Sequence, residues 1–146
     1  MKTSFVIISA VLFVLLESSC TKTEDQTISI VGEWKIINDT SSILRFGPTN
    51  TLYNSNYIGK SNDYFDFISD GNLYYKEGSQ LYRGKYYMTA SNQFQPVYFF
   101  MNGYTSPYAG YGPVYTILNL TAHTATLFQS GNNPDAEVWE MINLQK

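Results

Sequence analysis

The sequence contains very few residues of the types that form disulfides or bind soft metal ions. Its 146 residues include one cysteine, Cys20, and one histidine, His123. A single thiol excludes an internal disulfide and a Cys-based redox pair, and one imidazole beside it leaves no cluster of soft metal ligands. We therefore expect neither a metal centre nor a cofactor.

Charged residues are also scarce, and positive ones are in the minority. They make up 14% of the chain, below the roughly 25% of an ordinary soluble domain. Nine Lys and Arg residues stand against twelve Asp and Glu residues, which gives a net charge of −3. Affinity for DNA or RNA depends on a concentrated cationic surface that displaces counterions from phosphates. Nucleic acid is therefore not an expected partner.

The one long apolar run lies at the N-terminus and is too short to cross a bilayer. Residues 5–16 (FVIISAVLFVLL) form an uncharged segment of twelve residues, whereas a spanning helix needs about 20 apolar residues. We interpret residues 1–19 as a signal peptide. The small pair Ser18-Ser19 directly before Cys20 resembles a bacterial lipobox, in which the thiol receives diacylglycerol. Acyl chains on Cys20 would attach the protein to a membrane; the alternative is an ordinary secretory peptide that leaves a free thiol.

A polar tether and then a strand-rich domain follow the signal peptide. Residues 20–27 (CTKTEDQT) show no apolar periodicity and indicate a flexible leash. From residue 28 onward no window keeps a helical spacing of apolar residues, whereas short runs alternate with period two between turn residues. Turns are expected at Asp70-Gly71 and Gly78-Ser79, and Gly84 should mark a close backbone approach. The side chains expected inside are those of Trp34, Ile36, Phe65, Phe67, Tyr82, Tyr86 and Met88.

About eight strands fit residues 28–146, with longer loops at residues 47–62 and 102–113 and a turn at residues 131–134. Little helix is expected beyond a turn within residues 39–42 or a long loop. An open meander of this size would expose unpaired edges, so closure into a small antiparallel up-and-down β-barrel is the predicted fold.

Several motifs along residues 31–146 resemble the lipocalin-like lipoproteins of Bacteroidetes. Lipocalins place a Trp after a G-x-W motif to plug the closed end of the barrel, and Gly32 and Trp34 match that motif. The resemblance implies an outer-membrane lipoprotein, and Lys22 with Glu24 and Asp25 resembles the family's surface-export signal. The motifs are residues 32–36 (GEWKI), 70–71 (DG), 84–86 (GKY), 117–121 (ILNLT) and 139–141 (WEM).

Few side chains in the sequence could act in catalysis. His123 is expected in a solvated turn, and the carboxylates of Asp63, Asp66 and Asp70 have structural roles in a strand and its turn. Oxygen ligands for Ca²⁺ occur within residues 132–137, but they lack the spacing of a calcium loop. We therefore expect a protein that is not an enzyme.

Residues 104–115 (YTSPYAGYGPVY) place four tyrosines among glycines and prolines, which favours a loop. Tyrosine suits contacts with apolar ligands, sugars and proteins. The first hypothesis is that Tyr104, Tyr108 and Tyr111 line a site for a small, largely apolar ligand at the barrel mouth. The alternative is that the same loop faces outward and captures a glycan or a protein. A third interpretation makes these rings a lid over the core. The sequence leaves the oligomeric state open.

Overall fold

The computed structural model describes residues 28–102 and 104–146, and for residues 99, 101 and 104–109 it describes the backbone only. The signal peptide expected at residues 1–19, Cys20 and the rest of the tether lie outside the described residues. The described chain forms ten strands: β1 (Gly32–Arg45), β2 (Thr51–Ile58), β3 (Tyr64–Phe67), β4 (Asn72–Glu77), β5 (Gln80–Ala90), β6 (Gln93–Met101), β7 (Tyr104–Tyr111), β8 (Tyr115–Leu118), β9 (Thr124–Asn133) and β10 (Ala136–Gln145).

Eight of these strands close into an antiparallel barrel in the order β1-β3-β4-β5-β6-β8-β9-β10. Closure comes from β10, which pairs with β1 from Lys35 opposite Gln145 to Arg45 opposite Ala136. The two extra strands pair with the C-terminal parts of long strands, β2 with β1 and β7 with β6. The expected all-β, up-and-down barrel is confirmed, and it is consistent with a lipocalin-like barrel. The described residues include no helix capable of spanning a bilayer.

Both segments expected as long loops contain a strand instead. In β2, polar residues interrupt the alternation of apolar and polar positions that would indicate a strand. Even so, every residue from Thr51 to Ile58 has a partner on β1. In β7, Thr105 lies opposite Phe100 and Gly110 opposite Tyr98, so a wide irregularity accommodates Pro107, which has no N–H to donate. Residues 39–42, where a turn was considered, belong to β1.

The expected turns are largely confirmed. Phe67 lies opposite Leu73 across the Asp70-Gly71 loop, although only Gly71 there has a positive φ. The Gly78-Ser79 turn joins β4 to β5. The turn expected at residues 131–134 begins later, because β9 continues to Asn133 and only residues 134–135 form the turn.

The hydrophobic core fills the end of the barrel at which β1 begins. Trp34 and Phe67 are 0% exposed, and Phe65 and Ile36 are also buried. Trp34 Nε1 donates to the carbonyl of Ile30 at 2.5 Å, which satisfies its one polar group. This end of the barrel is therefore closed by packed side chains.

The close approach expected at Gly84 is confirmed. A Cβ atom on Gly84 would lie 1.9 Å from the carbonyl oxygen of Val97, at a register shift between β5 and β6. Further along β5 a second shift follows Met88. Met88 was expected inside, but it is 48% exposed beside this irregularity in the pairing.

Candidate functional site

The other half of the barrel contains a cavity of about 580 Å³ that is open to solvent. Along β10 the core residues Leu144 and Ile142 are followed on the same face by Glu140, which already belongs to the cavity. The volume lies within the range of about 300 to 1,000 Å³ that is usual for small-molecule sites. Its lining consists of Asp39, Ser55, Tyr57, Tyr75, Glu77, Gly78, Ser79, Gln80, Tyr82, Tyr98, Pro113, Tyr115, Gln129 and Glu140.

A β-bulge in β1 brings Asp39 into this cavity. Trp34 and Ile36 point inward, and the pairing with β10 then skips Ile37, so that Ile36 and Asn38 have consecutive partners. The extra residue reverses which positions face inward. Asp39 consequently lies opposite the buried Ile142 and is itself only 9% exposed.

Two further carboxylates in the cavity are held by tyrosines. The Tyr115 hydroxyl donates to Glu140 Oε2 at 2.7 Å, and the Tyr75 hydroxyl donates to Glu77 Oε2. Burial raises the pKa of both Tyr75 and Tyr115, and the neighbouring carboxylates add to the effect. These tyrosines therefore stay neutral and act as hydrogen-bond donors that fix the orientation of the two glutamates.

Asp39 is the member of this acidic group whose burial is not offset by hydrogen bonds to both carboxylate oxygens. Its Oδ1 atom is buried, and no donor among the described residues forms a hydrogen bond with it. Burial, followed by the charges of Glu140 and Glu77, raises the pKa of Asp39 to about 8. Burial also raises the pKa of Glu77. Asp39 therefore keeps its proton at neutral pH when no positive charge lies beside it.

A ladder of aromatic rings connects the core to the cavity. The ring centroids of Phe65 and Tyr75 are 4.3 Å apart, those of Tyr75 and Tyr82 are 5.3 Å apart, and those of Tyr82 and Tyr98 are 5.0 Å apart. The three tyrosines of the ladder all line the cavity. The cavity thus combines an aromatic wall with an acidic group.

Asp63 is a buried acid with a structural role. It is 0% exposed and accepts hydrogen bonds from the Tyr57 hydroxyl at 2.6 Å, the Lys60 amide at 2.7 Å and the Gly78 amide at 2.9 Å. Burial opposes ionisation of Asp63, but these hydrogen bonds outweigh it and lower its pKa. The same contact with Asp63 raises the pKa of Tyr57 to about 12. Asp63 therefore ties the β2–β3 connection to the β4–β5 turn.

The other residues considered for chemistry lie apart from the cavity. Asp66 alternates with the buried Phe65 and Phe67 on β3, and Asp70 accepts a hydrogen bond from the Asn72 amide in its turn. His123 is exposed between β8 and β9. None of these side chains lines the cavity as the described residues define it.

One oxygen of the loop considered for Ca²⁺ is engaged in a turn. Asn133 Oδ1 accepts hydrogen bonds from the amides of Asp135 and Ala136 at 2.9 and 2.8 Å. Within the described part of the chain, no group of three or more His, Cys, Asp or Glu residues is arranged to hold a metal ion.

The tyrosines singled out from the sequence lie on β7. Tyr104 is paired with Met101, and Tyr111 with Val97. The Tyr111 side chain is 74% exposed, and the side chains of Tyr104 and Tyr108 are not among those described. A ligand contact by these three residues stays a prediction.

The acidic group was not predicted from the sequence, although part of it has a signal there. Alternate positions of a strand face the same side of the sheet. Glu140 therefore lies on the same face as Ile142 and Leu144, and Glu77 lies on the same face as Leu73 and Tyr75. Simple alternation could thus have predicted that both glutamates point inward. Asp39 had no such signal, because simple alternation from Trp34 places it outside.

Comparison of this chain with family models, curated proteins and solved structures finds no match. The class of protein is therefore defined by the fold and the site. It is a closed antiparallel β-barrel with a packed end and, in its other half, an acidic cavity lined by tyrosines.

Proposed function

We propose that this chain is a lipid-anchored, lipocalin-like protein of the outer membrane that binds a small ligand in the barrel cavity. The observation that carries this proposal is the cavity of about 580 Å³ beyond the packed core. A barrel of eight strands is wide enough either to be filled by side chains or to hold one small ligand. Here one half of the barrel is filled by side chains, and the other half contains the cavity.

The character of the lining supports binding rather than catalysis. Ser55 and Ser79 provide the hydroxyl groups of a conceivable nucleophile, but the described lining contains no His, Lys or Cys to activate or replace them. Its glutamates are hydrogen-bonded to tyrosines. The aromatic wall suits the apolar part of a ligand, and the carboxylates support a ligand that also carries polar groups.

Native mass spectrometry of the full-length protein, purified from its own host, tests the binding proposal. We expect a small molecule to co-purify and to be lost in a Ser55→Trp variant, whose new ring would enter the cavity. Asn54→Trp is the matched control, because Asn54 is the neighbouring position on β2 and does not line the cavity. Absence of any bound molecule in the wild type, or equal retention in both variants, would overturn the proposal.

Membrane attachment has a separate test. A Cys20→Ser variant should lose labelling by a clickable palmitate analogue and move from the membrane fraction to the soluble fraction. A Ser18→Ala variant keeps a small residue before the cysteine and serves as a control that should remain labelled. Membrane retention of Cys20→Ser would contradict the lipid anchor.

The 74% exposure of Tyr111 favours one second candidate, a glycan-binding face formed by β7. Under this alternative, migration through gels containing soluble polysaccharides should be slowed for the wild type and restored by Tyr111→Ala. Tyr87→Ala is a matched control, since Tyr87 is also exposed, at 55%, on β5. Unchanged migration of the wild type with every polysaccharide in the series would exclude glycan binding by β7.

A further inference from the structure

One oxygen of the buried Asp39 carboxylate is left without a hydrogen-bond partner by the described residues. Asp39 is 9% exposed, it lines the cavity, and its Oδ1 atom has no hydrogen-bond donor among the described residues. Burying a polar atom without a partner destabilises the folded protein, and a charged group does so more strongly. Such an atom in a binding cavity indicates that a donor arrives from outside the chain.

The charges around Asp39 indicate that this donor is positively charged. Glu77 on β4 and Glu140 on β10 face the same cavity and are close enough to raise the pKa of Asp39. The described lining includes no Lys, Arg or His. Lys76 is adjacent to Glu77 in sequence, but its Nζ atom lies 3.2 Å from the carbonyl of Asn62 and 4.0 Å from Asp63. The chain therefore places three acids in the cavity without a cationic side chain to balance them.

The remaining titratable groups that face the cavity are phenols. They come from β2, β4, β5, β6 and β8, and all have a raised pKa, so they stay neutral. The positive charge that balances the carboxylates must therefore be either a retained proton or a bound cation. The phenols concerned are Tyr57, Tyr75, Tyr82, Tyr98 and Tyr115.

The size of the cavity distinguishes an organic cation from a metal ion. No group of carboxylates among the described residues is arranged to hold a metal ion, and about 580 Å³ is far more than one ion requires. Tyr75, Tyr82 and Tyr98 form an aromatic wall along the cavity. An ammonium group attached to a hydrocarbon body would place its N–H donors on the carboxylates and its body against these rings.

We propose that the ligand of this cavity is a small organic ammonium compound whose charged nitrogen is bound by Asp39, Glu77 and Glu140. This inference rests on the proposed function and adds the chemical class of the ligand. Because Glu77 and Glu140 are already oriented by tyrosines, the acidic group is preorganised for the charge.

Matched probes that differ in the charged group test the inference. Calorimetric titration of the full-length protein, with any co-purified ligand removed, compares 2-phenylethylamine, 2-phenylethanol and 3-phenylpropionate, and then hexylamine and hexanol. Each amine should bind at least about tenfold more tightly than its alcohol, as expected when a charge-assisted hydrogen bond replaces a neutral one. The carboxylate should not bind.

Glu140→Gln should lower the affinity for 2-phenylethylamine about tenfold and leave that for 2-phenylethanol unchanged. Asp39→Asn should act in the same direction. Glu137→Gln is the matched control, because Glu137 is exposed on β10 and lies outside the cavity. A thermal melt of each variant excludes loss of the fold as the cause.

The other outcomes separate the two proposals. Equal or tighter binding of the alcohols would overturn the ammonium inference and leave the binding function intact. Tight binding of CaCl2 alone, competing with the amines, would make the acidic group a metal site and would also overturn it. No binding of any amine refutes the ammonium inference, whereas the proposed function fails if native mass spectrometry finds no co-purifying molecule or finds it equally retained in Ser55→Trp and Asn54→Trp.

Discussion

Gly59 approaches Ile36 so closely that a Cβ atom on Gly59 would lie 1.8 Å from the carbonyl oxygen of Ile36. This contact occurs where β2 has just ended, and the Gly59 amide donates to the carbonyl of Ile37 at 3.0 Å. Ile37 is the bulged residue that reverses the parity of β1. The contact between Gly59 and β1 is therefore coupled to the placement of Asp39 in the cavity.

Substitution of Gly59 should accordingly affect both stability and the cavity. We expect Gly59→Ala to lower the free energy of unfolding by about 2 kcal/mol or more, since backbone atoms must move to relieve the overlap. Urea denaturation measures the loss. Gly131→Ala is the control, because a Cβ atom there would meet nothing within 4 Å. Equal stability of the two variants would show that the contact at Gly59 is not tight.

Trp34 should be the side chain on which the closed end depends most. Trp34→Phe removes the 2.5 Å hydrogen bond to Ile30 and part of a ring that is 0% exposed. We expect a loss of about 2 kcal/mol in the free energy of unfolding. Trp139→Phe, at a position 39% exposed on β10, should change it by less than about 0.5 kcal/mol. Similar losses for both variants in urea denaturation would contradict the role of Trp34.

The interior of the closed end could be predicted from sequence, because simple alternation holds there. Trp34, Ile36, Phe65 and Phe67 lie on regular stretches of β1 and β3, and all four are buried. Alternation fails where an extra residue enters a strand. Ile37 is such a residue, and no feature of the neighbouring sequence marks it as bulged. The bulge lies at a tertiary contact, where the Gly59 amide donates to the Ile37 carbonyl.

The same limit applies to the strands that were expected as loops. Pro107 cannot donate to a ladder, which favours a loop in the sequence, yet β7 forms around it with an irregular register. Asn54 and Asn56 are unfavourable in strands, yet both are paired with β1 along the full length of β2. In both cases pairing with a long neighbouring strand overrides local preference. Because β2 supplies Ser55 and Tyr57 to the lining, the cavity was harder to predict than the core.

Asp63 should contribute to stability only when it is ionised. Its folded pKa is lowered, so the unfolded chain binds the proton more tightly, and the contribution is present above the unfolded pKa of about 3.9. It is lost as the pH falls through the folded pKa. We expect Asp63→Asn to reduce the free energy of unfolding at pH 7 by about 1.5 to 3 kcal/mol, and by less at pH 3. Asp66→Asn is the control on the neighbouring strand, and a difference from wild type that is independent of pH would contradict this role.

Asp39 should have the opposite effect on stability. Its folded pKa of about 8 lies above the unfolded value, so between about pH 4 and pH 8 the folded protein binds a proton that the unfolded chain releases. Stability contributed by Asp39 is therefore complete below about pH 4 and is lost as the pH rises to about 8. Denaturant titrations at intervals of one pH unit should show this decline in the wild type and a smaller one in Asp39→Asn. An identical pH profile for the two proteins would refute the raised pKa.

Binding of a cation should displace the proton held by the acidic group. 2-Phenylethylamine is a suitable probe because its ammonium group keeps its N–H donors and its charge between pH 6 and pH 8, as expected for an aliphatic amine with a pKa of about 10. If the bound cation keeps Asp39 ionised, the affinity should rise on the order of tenfold or more between pH 6 and pH 8 and level off above the folded pKa of about 8. In Asp39→Asn the affinity should be lower at pH 8 and nearly independent of pH. Calorimetry in buffers of different ionisation enthalpy would detect the released proton directly. An affinity that is flat from pH 6 to pH 8 in the wild type, with no proton released, would mean that Asp39 is not part of the binding group, because a cation bound there and a proton retained there exclude each other.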